Sequence, residues 1–160
     1  MKSLTSLILI SCFFLLTSCG DESVTIDTGL TRYRGNGFEM QRPASWGIVD
    51  PATLSAPVSG RIELAVRSQV NTRGFMNNLL VLSDTLMTEV TSSEYARQSM
   101  NIANKQYLSV SIVREDALTF DDNGTSRVSI FHAKYNEVTE ERLFMQTARV
   151  CGTSVYLLTL

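Results

Sequence analysis

Alternation of apolar and polar residues predicts β-strands over much of the chain. Residues 37–43 alternate in this way up to Pro43, where the strand should end because proline cannot donate to a strand ladder. The same pattern, less regular, predicts strands at 61–67 and 78–87. Residues 50–60 contain proline, serine and glycine, which are typical of a loop.

Between residues 91 and 108 the apolar period changes to that of a helix. Thr91 and Glu94 have the spacing of a capping box, in which each side chain bonds the backbone amide of the other residue. Tyr95 and Ile102 widen the apolar stripe of this segment. The stripe itself recurs at i, i+4, i+7 and i+11, at Ala96, Met100, Ala103 and Tyr107. The sequence therefore predicts one main helix near 91–108.

Four closely spaced strands are predicted after the helix. The first, 110–120, is one long or bulged strand, and the others are 127–135, 143–150 and 154–160. The first turn is Asp121–Gly124, with Gly124 placed for a positive φ. Short turns between successive strands indicate antiparallel pairing. The predicted fold class is α+β, with a central antiparallel sheet of about six strands.

The last predicted strand is apolar on both faces. Val155 and Leu157 point one way, whereas Tyr156, Leu158 and Leu160 point the other way. A sheet with two apolar faces needs cover on both sides. Because the one predicted helix covers a single face, we expect either a partner on the other face or a chain truncated at its end.

The first eighteen residues have the architecture of a secretory signal peptide. Lys2 supplies a positive start, and residues 7–16 form an apolar run about half as long as a membrane span. Leu16–Cys19 resembles the bacterial lipobox, so we expect cleavage between Ser18 and Cys19. The Cys19 thiol should then carry a diacylglyceryl group, and its new amine a further acyl chain such as palmitate. The alternative is an ordinary signal peptide with a coincidental cysteine.

Residues 19–30 are polar and without period, which predicts a lipidated tether before a domain at 31–160. Two or three acyl chains anchor a protein stably, so the membrane is the expected partner of acylated Cys19. We expect the extracytoplasmic side of the cell membrane, or the periplasmic face in a Gram-negative cell. Gly20 follows the cysteine and Asp21 comes one residue later, which favours the outer membrane by the known lipoprotein sorting rule.

Composition limits the other partners and the redox chemistry. A length of 160 residues fits one domain, and the 14 basic and 16 acidic residues are interspersed. The absence of a basic run or face argues against nucleic acid. Cys12 and Cys19 lie within or beside the leader, so Cys151 is the single cysteine of the domain and no disulfide framework is expected.

The candidate residues for chemistry are few. His132 is the single histidine, and no nucleophile-elbow motif accompanies it, so a structural or solvent-facing role is favoured over catalysis. Cys151 is close to Arg149 in sequence, which is one requirement for a reactive thiol, but a merely tolerated cysteine is favoured.

An acidic turn supplies the oxygen atoms that calcium prefers. These are carried by Asp116, Asp121, Asp122 and Asn123, whose spacing differs from that of a calcium-binding loop. One histidine and one cysteine are also too few for a structural zinc site. The expectation is therefore no catalytic residue, no metal and no cofactor.

Several segments, taken in order, resemble a PsbP-like domain. They are Tyr33–Pro43 with Trp46 after it, Asn78–Val81, the helix start Ser93–Tyr95, and Val155–Thr159. The resemblance covers residues 31–160 and implies an α/β/α sandwich with a central antiparallel sheet. It also implies a C-terminal helix after the last strand, which this sequence lacks, in agreement with the uncovered face described above.

The resemblance implies no shared enzymatic activity. Some PsbP-like proteins are extrinsic subunits of photosystem II that assist calcium and chloride retention, and DcrB-type members are envelope lipoproteins. The first expectation is a non-catalytic, membrane-anchored lipoprotein whose domain binds a protein partner in the envelope. The alternatives are a photosystem II extrinsic or assembly factor, and a small hydrolase or ligand-binding lipoprotein that uses His132 or the acidic turn. No small-molecule ligand is identified.

Overall fold

The computed structural model describes residues 29–55, 60–71 and 74–160. The predicted signal peptide, Cys19 and nearly all of the predicted tether lie outside the described residues. The elements are β1 (Leu30–Arg34), β2 (Glu39–Pro43), β3 (Gly47–Ile48), a 3-10 turn (Pro51–Thr53), β4 (Arg61–Arg67), β5 (Asn78–Thr85), α1 (Ser92–Gln106), β6 (Ser109–Thr119), β7 (Thr125–Lys134), β8 (Arg142–Cys151) and β9 (Ser154–Thr159).

The strands form one large sheet and one small one. The large sheet has seven antiparallel strands in the order β3-β4-β5-β9-β8-β7-β6, and β1 pairs with β2 alone. The α+β class is confirmed, but the sheet has seven strands where the sequence predicted about six. Strand β1 was missed, because its sequence LTRYR has few apolar residues, and it begins at Leu30, inside the predicted tether.

The C-terminal half of the sheet follows the prediction closely. Strands β6 to β9 form a meander, and the predicted bulge in β6 lies between Ile112 and Arg114. The pairing of β9 with β5 places the last strand in the middle of the sheet. A strand between two neighbours has its backbone groups paired on both sides, so its side chains alone are available for further contacts.

Helix α1 begins with half of the predicted capping box. The Glu94 amide donates to Thr91 Oγ1 at 3.1 Å, as predicted. The Glu94 carboxylate, however, accepts hydrogen bonds from Arg97 and Gln98 and does not turn back to Thr91. The arginine one turn later offers this carboxylate a charged donor, which makes a stronger hydrogen bond than a neutral amide. The predicted stripe is confirmed, since Ala96, Met100 and Ala103 are buried.

The two faces of the sheet are covered by different elements. Helix α1 packs on β6, β7 and β8, with a core that includes Met100, Phe131 and Ala148. On the opposite face, Tyr33, Phe38 and Met40 of the β1–β2 hairpin pack against a second cluster. This cluster contains Leu64, Val66, Leu79, Val81 and Tyr156. The hairpin therefore covers part of the second apolar face of β9, the face that helix α1 does not cover.

The turn after β6 corrects one prediction. Asn123, not Gly124, has the positive φ, at 61°. Asparagine tolerates this conformation, so the turn does not need glycine there. At Gly124 a Cβ atom would meet the Arg149 guanidinium, so a larger residue there would displace the end of this side chain.

Candidate functional site

A groove of about 540 Å³ lies between helix α1 and the middle of the sheet. Its floor consists of Leu80 and Leu82 from β5 and Leu157 from β9, with Gln146 of β8 and Thr159 at one end. These floor residues alternate along their strands with the residues that face the β1–β2 hairpin. The floor is thus the part of the helix-side face that α1, packed over β6 to β8, covers only in part, and Leu80, Leu82 and Leu157 are half-buried.

The wall of the groove is a second stripe of α1. Tyr95, Ser99, Ile102 and Gln106 recur at i, i+4, i+7 and i+11 and line the groove. Ile102 is 54% exposed, although it is an isoleucine in the middle of a helix. The sequence predicted that Tyr95 and Ile102 widen the buried stripe. Tyr95 does so, since it is half-buried and packs against the cluster that contains Ala96, whereas Ile102 is exposed.

One end of the groove is acidic. Asp84 is the single formally charged residue among the described residues that line the groove. Its Oδ1 accepts the Thr85 amide at 2.7 Å. Burial, and secondarily the Asp84 carboxylate, raise the pKa of the Tyr95 phenol. The acidic end therefore favours a positively charged group and disfavours an anion.

The other end of the groove is aromatic and polar. The Tyr107 and Tyr135 rings meet edge to face with centroids 6.2 Å apart. Gln146 Nε2 donates to Thr159 Oγ1 at 3.1 Å, while Gln146 Oε1 is buried and accepts no hydrogen bond within the described part of the chain. A buried acceptor without a donor is costly, so this end of the groove carries a local destabilising term.

His132 lies on the opposite face of the sheet from the groove. Its Nδ1 is 3.5 Å from Glu141 Oε1, and the two side chains are 44% and 54% exposed. Ser111 is its register partner on β6, but no hydrogen bond joins Ser111 to His132 among the described residues. A nucleophile activated by histidine makes such a bond in the reacting complex, so the hydrolase alternative at His132 stays a prediction.

The acidic turn is used for internal contacts. Arg149 Nη2 donates to Asp122 Oδ2 at 2.8 Å, and the Gly124 amide donates to Asp122 Oδ1 at 3.0 Å. Both hydrogen bonds lower the pKa of Asp122, and the one from Arg149 has the larger effect. Asp116 is instead paired with Arg114. In residues 29–55, 60–71 and 74–160 no group of three or more His, Cys, Asp or Glu side chains is arranged to hold a metal ion.

Cys151 ends β8 and carries an exposed, free thiol. Arg149, which the sequence placed near it, directs its guanidinium towards Asp122 and stacks over the Phe120 ring, with 5.6 Å between Cζ and the ring centroid.

Within the described residues, no helix has the length and apolarity needed to cross a membrane.

The groove was not predicted from the sequence. Its floor residues were assigned correctly to strands, but the sequence analysis placed no groove beside them. The available signal was the apolar character of both faces of β5 and β9, which needs more cover than one helix supplies. The position of α1 over β6 to β8, which leaves the floor partly exposed, is a tertiary property without a local pattern.

Comparison with known proteins gives no family assignment. No family model matches the chain, and no curated protein matches it. Among solved structures, the chain is similar to a protein of unknown function, PA94, from Pseudomonas aeruginosa, with 11% identity and a TM-score of 0.49. The similarity covers 81% of this chain and 80% of that one. At this identity and score, it assigns no function to the chain.

Proposed function

We propose that the chain is a membrane-anchored envelope lipoprotein whose domain, residues 31–160, is a non-catalytic binding or assembly module of PsbP-like type. The observation that carries this proposal is Cys19, which follows Leu16, Thr17 and Ser18 at the end of an apolar run. The finer fold that belongs to the proposal is an α/β/α sandwich, of which α1 and the sheet are two layers.

The distance between anchor and domain suits this role. Strand β1 begins at Leu30, eleven residues after Cys19 by the numbering of the chain. A chain of that length spans at most roughly 36–40 Å when fully extended. The domain would therefore work close to the bilayer, where its partner is either another envelope protein or the envelope-facing part of a membrane protein.

The open groove beside α1 favours binding over catalysis. Its floor is apolar, and its single charged residue, Asp84, has no second titratable carboxylate, histidine or cysteine beside it among the described lining residues. A nucleophile of an enzyme is ordinarily activated by a base within hydrogen-bond reach, and the described lining offers no such pair. A mostly apolar groove with a few polar groups, in contrast, is typical of binding sites.

The anchor is tested by expressing the full chain in a Gram-negative host. We expect wild-type protein to enter the detergent phase, to incorporate labelled palmitate and to gain the mass of its acyl chains. Cys19→Ala should abolish all three. Cys12→Ala and Cys151→Ala are the matched controls and should leave acylation unchanged. Continued acylation of Cys19→Ala, or an unmodified wild-type chain in the aqueous phase, contradicts the proposal.

A further inference from the structure

We infer that the groove beside α1 binds an amphipathic α-helix of a partner protein, about three turns long, with a Lys or Arg near one end. This inference rests on the proposed binding role of the domain and names the kind of partner that the domain takes.

The dimensions of the groove fit one helix. Its floor consists of β5 and β9 and the adjoining Gln146 of β8, so it is about two to three strands, or roughly 10–14 Å, wide. An α-helix with its side chains is about 10–12 Å across. The wall extends from Tyr95 to Gln106, which is roughly 17 Å along α1 at about 1.5 Å per residue, or three helical turns.

The backbone of the floor excludes an added strand. Strand β5 is paired with β4 and β9, and β9 is paired with β5 and β8. Their amides and carbonyls are thus used on both sides, and a ligand can reach only their side chains. Of the recurring modes of peptide recognition, a helix laid in an apolar groove needs side chains alone, whereas strand addition needs a free edge.

The lining fits the surface of an amphipathic helix. Leu80, Leu82 and Leu157 offer half-buried branched apolar side chains, and Ile102 of α1 adds an exposed one. Burial of a continuous apolar seam supplies the affinity in such complexes.

Charge complementarity determines which charged residue the partner helix carries and which end of the helix lies at Asp84. Asp84 lies at the Tyr95 end of the groove and is its one formal charge among the described lining residues. A Lys or Arg of the partner would pair with it, and an acidic residue there would be repelled.

The test is selection from a displayed library of helical peptides on the purified full chain. Each peptide has a fixed leucine seam, and the position nearest Asp84 is fully randomised. We expect wild-type protein to enrich Lys and Arg, and Asp84→Lys to enrich Glu and Asp. The best wild-type peptide should bind Asp84→Lys about tenfold more weakly. Asp121→Lys, at an exposed carboxylate of the acidic turn, should leave the selection unchanged.

Two further variants locate the binding surface. Ile102→Glu should abolish binding of the selected peptide, whereas Val138→Glu, on an exposed loop, should not affect it. Circular dichroism verifies that each variant is folded. An identical selection by wild type and Asp84→Lys, the absence of any enriched helix, or occupation of the groove by a second copy or by lipid overturns the inference. None of these outcomes bears on acylation of Cys19, so the anchor and the groove fail separately.

Discussion

The two faces of the seven-stranded sheet are covered at opposite ends. Helix α1 covers β6 to β8 on one face, and the β1–β2 hairpin covers β4, β5 and β9 on the other. Each cover leaves the remainder of its own face bare. The strands that are apolar on both faces therefore have only part of each face covered within the described residues.

The two bare regions differ in shape and chemistry. The one beside α1 is a groove with a wall, an acidic end and an unpaired acceptor. The other is a flat row across β7, β8 and β9 formed by Ile130, Met145 and Leu160. A walled groove can surround a ligand, whereas a flat row offers little area to one. This difference is why the groove is proposed as the binding site.

The largest expected effect is in the core under α1. Phe131 is 1% exposed and stacks on Phe144, with ring centroids 5.4 Å apart. Phe131→Ala should lower the free energy of unfolding by about 3–5 kcal/mol, because it removes buried surface and leaves a cavity. Urea denaturation measures this change, and Phe131→Leu provides a milder variant if the alanine form does not fold.

The matched control lies in the bare region of the opposite face. Leu143 is 59% exposed, so Leu143→Ala should change the free energy of unfolding by less than about 0.5 kcal/mol. A cost for Leu143→Ala equal to that of Phe131→Ala would mean that both faces are covered in solution, and the contrast between covered and bare regions would be lost.

The junction of α1 with the sheet should give the next largest effect. Ser92 is 5% exposed, and its Oγ accepts the Val150 amide at 2.9 Å. Ser92→Ala leaves that amide unpaired and should destabilise the fold by about 1–3 kcal/mol. Ser93→Ala, at the less buried neighbour, is the control for thermal denaturation. Equal melting temperatures for Ser92→Ala and wild type would contradict this role of Ser92.

A smaller effect is expected where the hairpin meets the sheet. Tyr156 Oη donates to the Asn36 carbonyl oxygen at 2.9 Å, and its ring lies 5.2 Å from that of Phe38. Tyr156→Phe removes this hydrogen bond and keeps the ring, so it should cost about 0.5–1.5 kcal/mol. Amide exchange should accelerate in β1 and β2 and remain slow under α1. Uniform acceleration in both regions would show that the two covers unfold as one unit.

The covered and partly covered regions show which features of the fold the sequence predicts and which it does not. The buried stripe of α1 and the opposite faces of Val155 and Tyr156 follow from local periodicity, because side-chain direction repeats with the backbone. The hairpin at Tyr33 was missed as a cover, since what it contacts is decided by chain topology. The groove was missed for the same reason: the pattern around Leu82 predicts a strand, and the position of α1 decides that Leu82 is only half-buried.

The smallest expected effect concerns the pH dependence of α1. Hydrogen bonds from Arg97 and then from Gln98 lower the pKa of Glu94 from its ordinary 4.5 to about 2. Because the pKa is lower in the folded state, the ionised carboxylate stabilises the fold above about pH 4.5. That contribution is lost as the pH falls from 4.5 towards 2. Glu94→Gln should therefore be less stable than wild type at neutral pH, and the difference should shrink over this window.

Arg97→Gln tests the same pair from the other side. It removes the first donor to Glu94, so it should remove most of the same acid-dependent stability, and the double variant should add little to either single one. Urea denaturation between pH 2 and 7 measures all four proteins. The Glu94–Arg97 pair lies on the solvent side of α1, so it should shift the stability of the helix-covered face while amide exchange in the β1–β2 hairpin stays unchanged. A difference in the free energy of unfolding between wild type and variant that stays constant from pH 2 to 7 would show that Glu94 titrates alike in the folded and unfolded chain.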